Sequence, residues 1–171
     1  MLQPGTMLIY SSAGVETPWT IDSAAVDTTI AGRSKCTRLI LRLAPTARQV
    51  TRSFCADSVM LWMWNDSTQT MTEARPISAK GTLSISTRNG SMLYETGTPT
   101  TEKIGGLAVW VIPTTVTIRD ANGRLIRRLT ENYALGLLTA TKGTFEIPDS
   151  TRAGEMIVQR RFELIGITGN R

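Results

Sequence analysis

The chain has 171 residues, 41% of them hydrophobic, with a net charge of +5 and no histidine at all. That length and apolar content suit one well-buried domain rather than a disordered chain. The missing histidine excludes Ser-His-Asp and Cys-His catalysis and removes the commonest metal ligand.

Pro4-Gly5 reads as a turn and residues 7–11 as a first strand. Residues 17–32 are ambiguous: Thr17-Pro18 could cap a helix that Gly32 ends. Trp19, Ile21 and Val26 miss helical spacing, however, and Thr28-Thr29-Ile30 is β-branched, so the segment reads as strand. Two strands follow around Ala44-Pro45-Thr46-Ala47-Arg48. Pairing Leu43 with Arg48 sets Cys36 opposite Cys55, at a Cβ separation of ~5 Å, which a modest adjustment turns into a cross-strand disulfide. Such a loop contributes about 3 kcal/mol on the chain-entropy account, and a disulfide implies an oxidising compartment. In this register Cys36 shares a face with Arg38 and Arg42, while Leu39, Leu41 and Leu43 face the other way.

Residues 59–64 form the next strand and 71–77 return beside it, around the turn Asn65-Asp66-Ser67-Thr68. Asn89-Gly90 centres a hairpin with arms 84–88 and 91–96, which would oppose Ile85 and Tyr94. Residues 97–106 read as a loop and as the one place for a sub-domain boundary in a single domain spanning 1–171. The run 107–112, apolar on both faces, reads as a covered central strand with Trp110 in the core. Strands 115–120 and 124–131 flank the Ala121-Asn122-Gly123 turn. Asp120 also opens a calcium-like loop, but the terminal Glu is missing and a turn is the better reading. A short strand 144–147 and a long one 155–167 close the chain, the latter with Met156, Val158, Phe162 and Leu164 on one face. The expected fold is all-β: a mainly antiparallel curved sheet, sandwich or partly open barrel of about ten strands, with little or no helix.

No nucleotide-binding fingerprint and no Ser-x-x-Lys pair occurs. The carboxylates Asp22, Asp27, Asp57, Asp66, Glu73, Glu131 and Glu163 are scattered, so no catalytic pair is legible. We expect no enzyme, no metal and no cofactor. Met60, Trp62 and Trp64 share a face by alternation; they suit either core or an interaction surface, and Trp19 is the better candidate for exposure. Arg38, Arg42, Arg52, Arg127 and Arg128, with Arg119, Arg160 and Arg161, suit either solvated strand faces or one basic face for nucleic acid or anionic headgroups. No aromatic pattern for RNA accompanies them.

Pro4-Gly5-Thr6-Met7-Leu8-Ile9-Tyr10, the run from Pro113 to Arg124, and Glu131-Asn132-Tyr133-Ala134-Leu135-Gly136-Leu137 together cover about a quarter of the chain. In these it resembles uncharacterised secreted bacterial β-proteins related to the LolA-like half-barrel of periplasmic lipoprotein carriers. The resemblance implies an extracytoplasmic curved sheet with an apolar concave face and no enzymatic activity. The lipoprotein Cys is not present at the start, nor is a signal peptide seen there, and no run is long enough to be a transmembrane segment. The leading expectation is a non-catalytic periplasmic or secreted module for protein–protein interaction. An extrinsic structural subunit of a membrane-bound electron-transfer or light-harvesting complex would be one such module. The alternative is a carrier of a lipid or other apolar ligand in the curved sheet. A binder of nucleic acid or anionic headgroups comes third.

Overall fold

A computed structural model describes residues 2–65, 68–77, 81–87 and 89–169. Asp66 and part of its predicted turn lie outside them, as does Arg88, and the Glu73 side chain is not described. The chain forms one antiparallel sheet of thirteen strands that curls until it nearly closes into a barrel. The class is as expected; the strand count exceeds the expected ten.

β1 (Met7–Ser12), β2 (Val15–Ile30), β3 (Arg33–Leu43), β4 (Arg48–Ala56), β5 (Met60–Asn65) and β6 (Thr70–Pro76) run as a meander. The second half comprises β7 (Gly81–Thr87), β8 (Gly90–Thr96), β9 (Thr100–Ile104), β10 (Leu107–Asp120), β11 (Leu125–Ala134), β12 (Thr139–Pro148) and β13 (Met156–Thr168). The last strand returns to pair with β1, so the order across the sheet is β6-β5-β4-β3-β2-β1-β13-β12-β11-β10-β8-β7, with β9 on β10 alone. β6 and β7 are the two free edges, and β6 comes close to β8. Strand twist and bulges produce the curl. Breaks in register fall at Ile9/Tyr10, Phe145/Glu146, Asn132/Tyr133 and Met63/Trp64, and three more interrupt the long β2.

Alternation decides which side chains face inward. Leu8, Tyr10, Ile21, Leu39, Leu41, Phe54, Leu61, Tyr133 and Leu164 make the main core. Leu2, Ile104 and the short 3-10 turn Leu135–Leu137 close it at one end. A second cluster of Tyr94, Val116 and Leu129 fills the inner face under β8, β10 and β11. Gly143 makes room for the Phe162 ring at the main core: a Cβ would come within 2.6 Å of it.

Several expectations need correcting. The stretch 97–106 is not simply a loop, because Thr100–Ile104 pairs with Leu107–Val111 around a Gly105-Gly106 turn. This hairpin lies off the main sheet path, so the run 107–112 is not covered on both sides. Trp110 is 71% exposed, not core; its neighbours Val111 and Ile112 are buried. The β7–β8 register is two residues from the expected one, with Leu83, not Ile85, opposite Tyr94. Gly90 is spent on close approach instead of the turn centre: a Cβ there would sit 2.0 Å from the Arg119 carbonyl oxygen. Val158 is 44% exposed although Phe162 and Leu164 face inward, because the bulge opposite Phe145 and Glu146 breaks the alternation.

Candidate functional site

The inner face encloses a cavity of about 490 Å³, within the range usual for small-molecule sites. Its walls are the inward residues of β1, β2, β4 and β5 on one side and of β11, β12 and β13 on the other. Phe54, Leu61, Met63, Phe145 and Phe162 supply apolar surface. Trp19 is not exposed outside but half-buried here, its ring 4.9 Å from that of Tyr10. Tyr10 lies 6.2 Å from Phe162, and Phe162 6.0 Å from Phe145, so one aromatic chain crosses the cavity wall. The Tyr10 hydroxyl lies 2.7 Å from Thr139 Oγ1 and donates to the Ala140 carbonyl at 3.3 Å. Burial pushes its pKa up to about 12, against the opposing influence of Thr139 and Arg52.

Four charged side chains line this apolar space: Arg52, Arg75, Arg160 and Glu131. Arg75, from edge strand β6, forms a salt bridge with Glu131 of β11, which is 4% exposed. This pair spans the cavity and ties the two halves of the sheet together; the Arg75 guanidinium also lies 5.7 Å over the Tyr133 ring. Arg52 sits 4.8 Å over Trp19. Neither Arg52 nor Arg160 has an ion-pair partner among the described residues. Arg160 is exposed and, with Ser12 and Phe145, also lines an outer depression of about 500 Å³ that Arg127 borders. The two spaces adjoin at those shared residues.

The arginines therefore form no single basic face. Arg38 and Arg42 lie on the convex side, where Arg38 donates to Ser53 Oγ at 3.3 Å and Arg42 pairs with Asp22 at 3.1 Å. Arg52 opposes Leu39 and faces inward. Arg127 and Arg128 are successive strand residues and point to opposite faces.

Cys36 and Cys55 are joined, as the expected register requires, with Leu43 opposite Arg48. The bridge is on the convex face but is not open to solvent. Both cysteines are fully buried, in a small cluster with Ile30 and Trp64. Met60 is buried as well, at 3% exposure. Trp62 is half-buried and tethered: its Nε1 donates to Asp57 Oδ2 at 2.8 Å, and Arg33 lies 5.8 Å over the ring. That Trp62 bond, with those from the Val59 and Met60 amides, holds the Asp57 carboxyl below its ordinary pKa. The tryptophan ledge is thus largely a lid on the disulfide.

A further polar knot pins the β9 hairpin. Glu102 accepts from Asn132 Nδ2, Thr141 Oγ1 and Lys142 Nζ, each at 2.6 Å. Burial alone would raise the Glu102 pKa, but these three partners outweigh it and hold it below the usual value. Asp120 Oδ1 accepts from the Asn122 and Arg124 amides at 2.9 Å, so Asp120-Ala121-Asn122-Gly123 is a hydrogen-bonded turn. Among the described residues no group of three acidic or cysteine side chains is arranged to hold a metal, and no helix is long and apolar enough to cross a membrane.

Comparison with protein families, with curated proteins and with solved structures finds no match. Sequence alternation could suggest the inward aromatics. The Arg75–Glu131 pair was not legible, because the two residues are 56 positions apart and meet only when the sheet curls.

Proposed function

We propose that this protein is a non-catalytic carrier that shelters a small apolar or amphipathic molecule inside its curled sheet. The observation behind this reading is the cavity itself: about 490 Å³, walled by aromatic and aliphatic side chains. A flat interaction patch would need neither the space nor the inward aromatics. The disulfide adds a compartment to the reading, since such bonds persist outside the reducing cytosol. We place the protein in the periplasm or outside the cell.

Delipidated protein is expected to bind a neutral apolar fluorophore such as N-phenyl-1-naphthylamine. Thr17 is half-buried and lines the cavity, in a strand that tolerates a large aromatic. Thr17→Trp is therefore expected to fill the space and weaken dye binding about tenfold or more while preserving the melting temperature. No dye binding by the wild type would end the carrier reading.

The interaction-module reading rests on a different feature. Trp110 is 71% exposed on a hairpin outside the main sheet path, and exposed tryptophan favours protein interfaces. Native mass spectrometry of gently extracted, unreduced protein separates the two. A monomer with a small-molecule adduct supports the carrier; a stable protein complex that Trp110→Ala dissociates supports the subunit.

A further inference from the structure

We infer that the cavity is built for a single-chain amphiphile with an acidic head group, carboxylate or phosphate, which Arg52 receives. This inference rests on the carrier reading and narrows its cargo.

Among the described residues three arginines and one glutamate line the cavity, and that glutamate is already engaged by Arg75. A purely apolar cargo would gain nothing from a half-buried guanidinium, which costs desolvation energy unless an anion compensates it. Arg52 occupies an inward position of β4, opposite Leu39 and two residues from buried Phe54, where alternation calls for an apolar side chain. Trp19 packs against it from one side at 4.8 Å, which relieves part of that cost and orients the planar group. The fork of donors remains, and its geometry matches a carboxylate or a phosphate bidentately.

Two other arginines in this molecule show what complete partnering looks like. Arg75 has Glu131, and Arg33, above Trp62, has Asp57 at 3.9 Å. Among the described residues Arg52 has the tryptophan without the carboxylate. Arg160 and Arg127 add positive charge in the adjoining depression, which raises the local concentration of an anion. Phe54, Leu61, Met63 and Phe162 then surround the chain of the cargo.

The test uses the full chain, delipidated, titrated at neutral pH with dodecanoate, methyl dodecanoate and dodecyl phosphate. The wild type is expected to bind at least one acid about tenfold or more tighter than the ester, the worth of a charged hydrogen bond. Arg52→Gln is expected to bring acid and ester within about twofold of each other, while Arg52→Lys keeps most of the preference. Ranking dodecanoate against dodecyl phosphate tells a fatty-acid head from a phospholipid-derived one. Equal binding of ester and both acids by the wild type would overturn the inference and leave the carrier standing. An acid preference that survives in Arg52→Gln would also overturn it. Failure of all three, with no uptake of the neutral fluorophore, would remove the carrier reading along with it. Should Arg52→Gln not fold, the wild-type ratio and that of Arg52→Lys decide.

Discussion

The convex and concave faces of the sheet each place an arginine over a tryptophan, and they finish the arrangement differently. Outside, Arg33 lies over Trp62, and Asp57 completes the group by pairing with Arg33 and accepting from the indole. Inside, Arg52 lies over Trp19, and among the described residues no carboxylate follows. The outer group is satisfied by the chain itself, and it helps cover the disulfide. The inner group lines a cavity, with its guanidinium stacked on the indole. Residue type alone therefore does not separate the two arrangements; the presence of the third partner does.

The strongest way to sharpen this contrast is to unmake the inner pair that is complete. Glu131→Gln would remove the charge with which Arg75 pairs in a poorly exposed site and loosen edge strand β6. The expected cost is about 3 kcal/mol, the usual penalty for breaking a buried pair by one partner. Urea unfolding should show it as a lower midpoint at similar slope. A loss below 1 kcal/mol would mean that the latch is not holding the sheet closed.

Opening the outer region comes next. The disulfide closes a loop with a sequence separation of 19, so a Cys36→Ala, Cys55→Ala double variant should lose about 3 kcal/mol or slightly more on the chain-entropy account. The small cluster with Trp64 and Ile30 would also lose packing. Cavity binding of the fluorophore, measured under conditions where the variant is folded, should change less than twofold. A large loss of binding would show that the two faces are not independent.

The smallest expected effect is a pH dependence at the β9 hairpin, which belongs to neither face. Glu102 has a folded pKa below its ordinary value of 4.5. Its contribution is complete above that ordinary value and disappears as pH falls through the lower folded one. Hydrogen exchange in residues 100–111 should accelerate across this acidic window, and Glu102→Gln should flatten the response. Unchanged exchange in the wild type would show that the knot does not hold the hairpin.

Local pattern alone was enough for most of the strands, the turn at Ala121-Asn122-Gly123 and the cysteine register, because alternation and turn chemistry act over a few neighbouring residues. The pairing of Leu43 with Arg48 carried forward to Cys36 and Cys55 without any long-range information. What failed was whatever depended on distant chain. Trp110 sits in a run as apolar as any core strand, yet its outer face is open because β9 and the start of β10 lie off the main sheet path. Gly90 looked like a turn residue and serves as a contact with Arg119 backbone from another strand. Arg52 groups with Arg38 on one basic face by residue type, although the hairpin register already sets it opposite inward Leu39. The sequence by itself determined an antiparallel β-domain with one cross-strand disulfide. Only the curl of the sheet, joining β1 to β13 and bringing Arg75 to Glu131, created an inside. A cavity is a property of closure, and closure is the sum of many small twists and bulges that no single segment encodes.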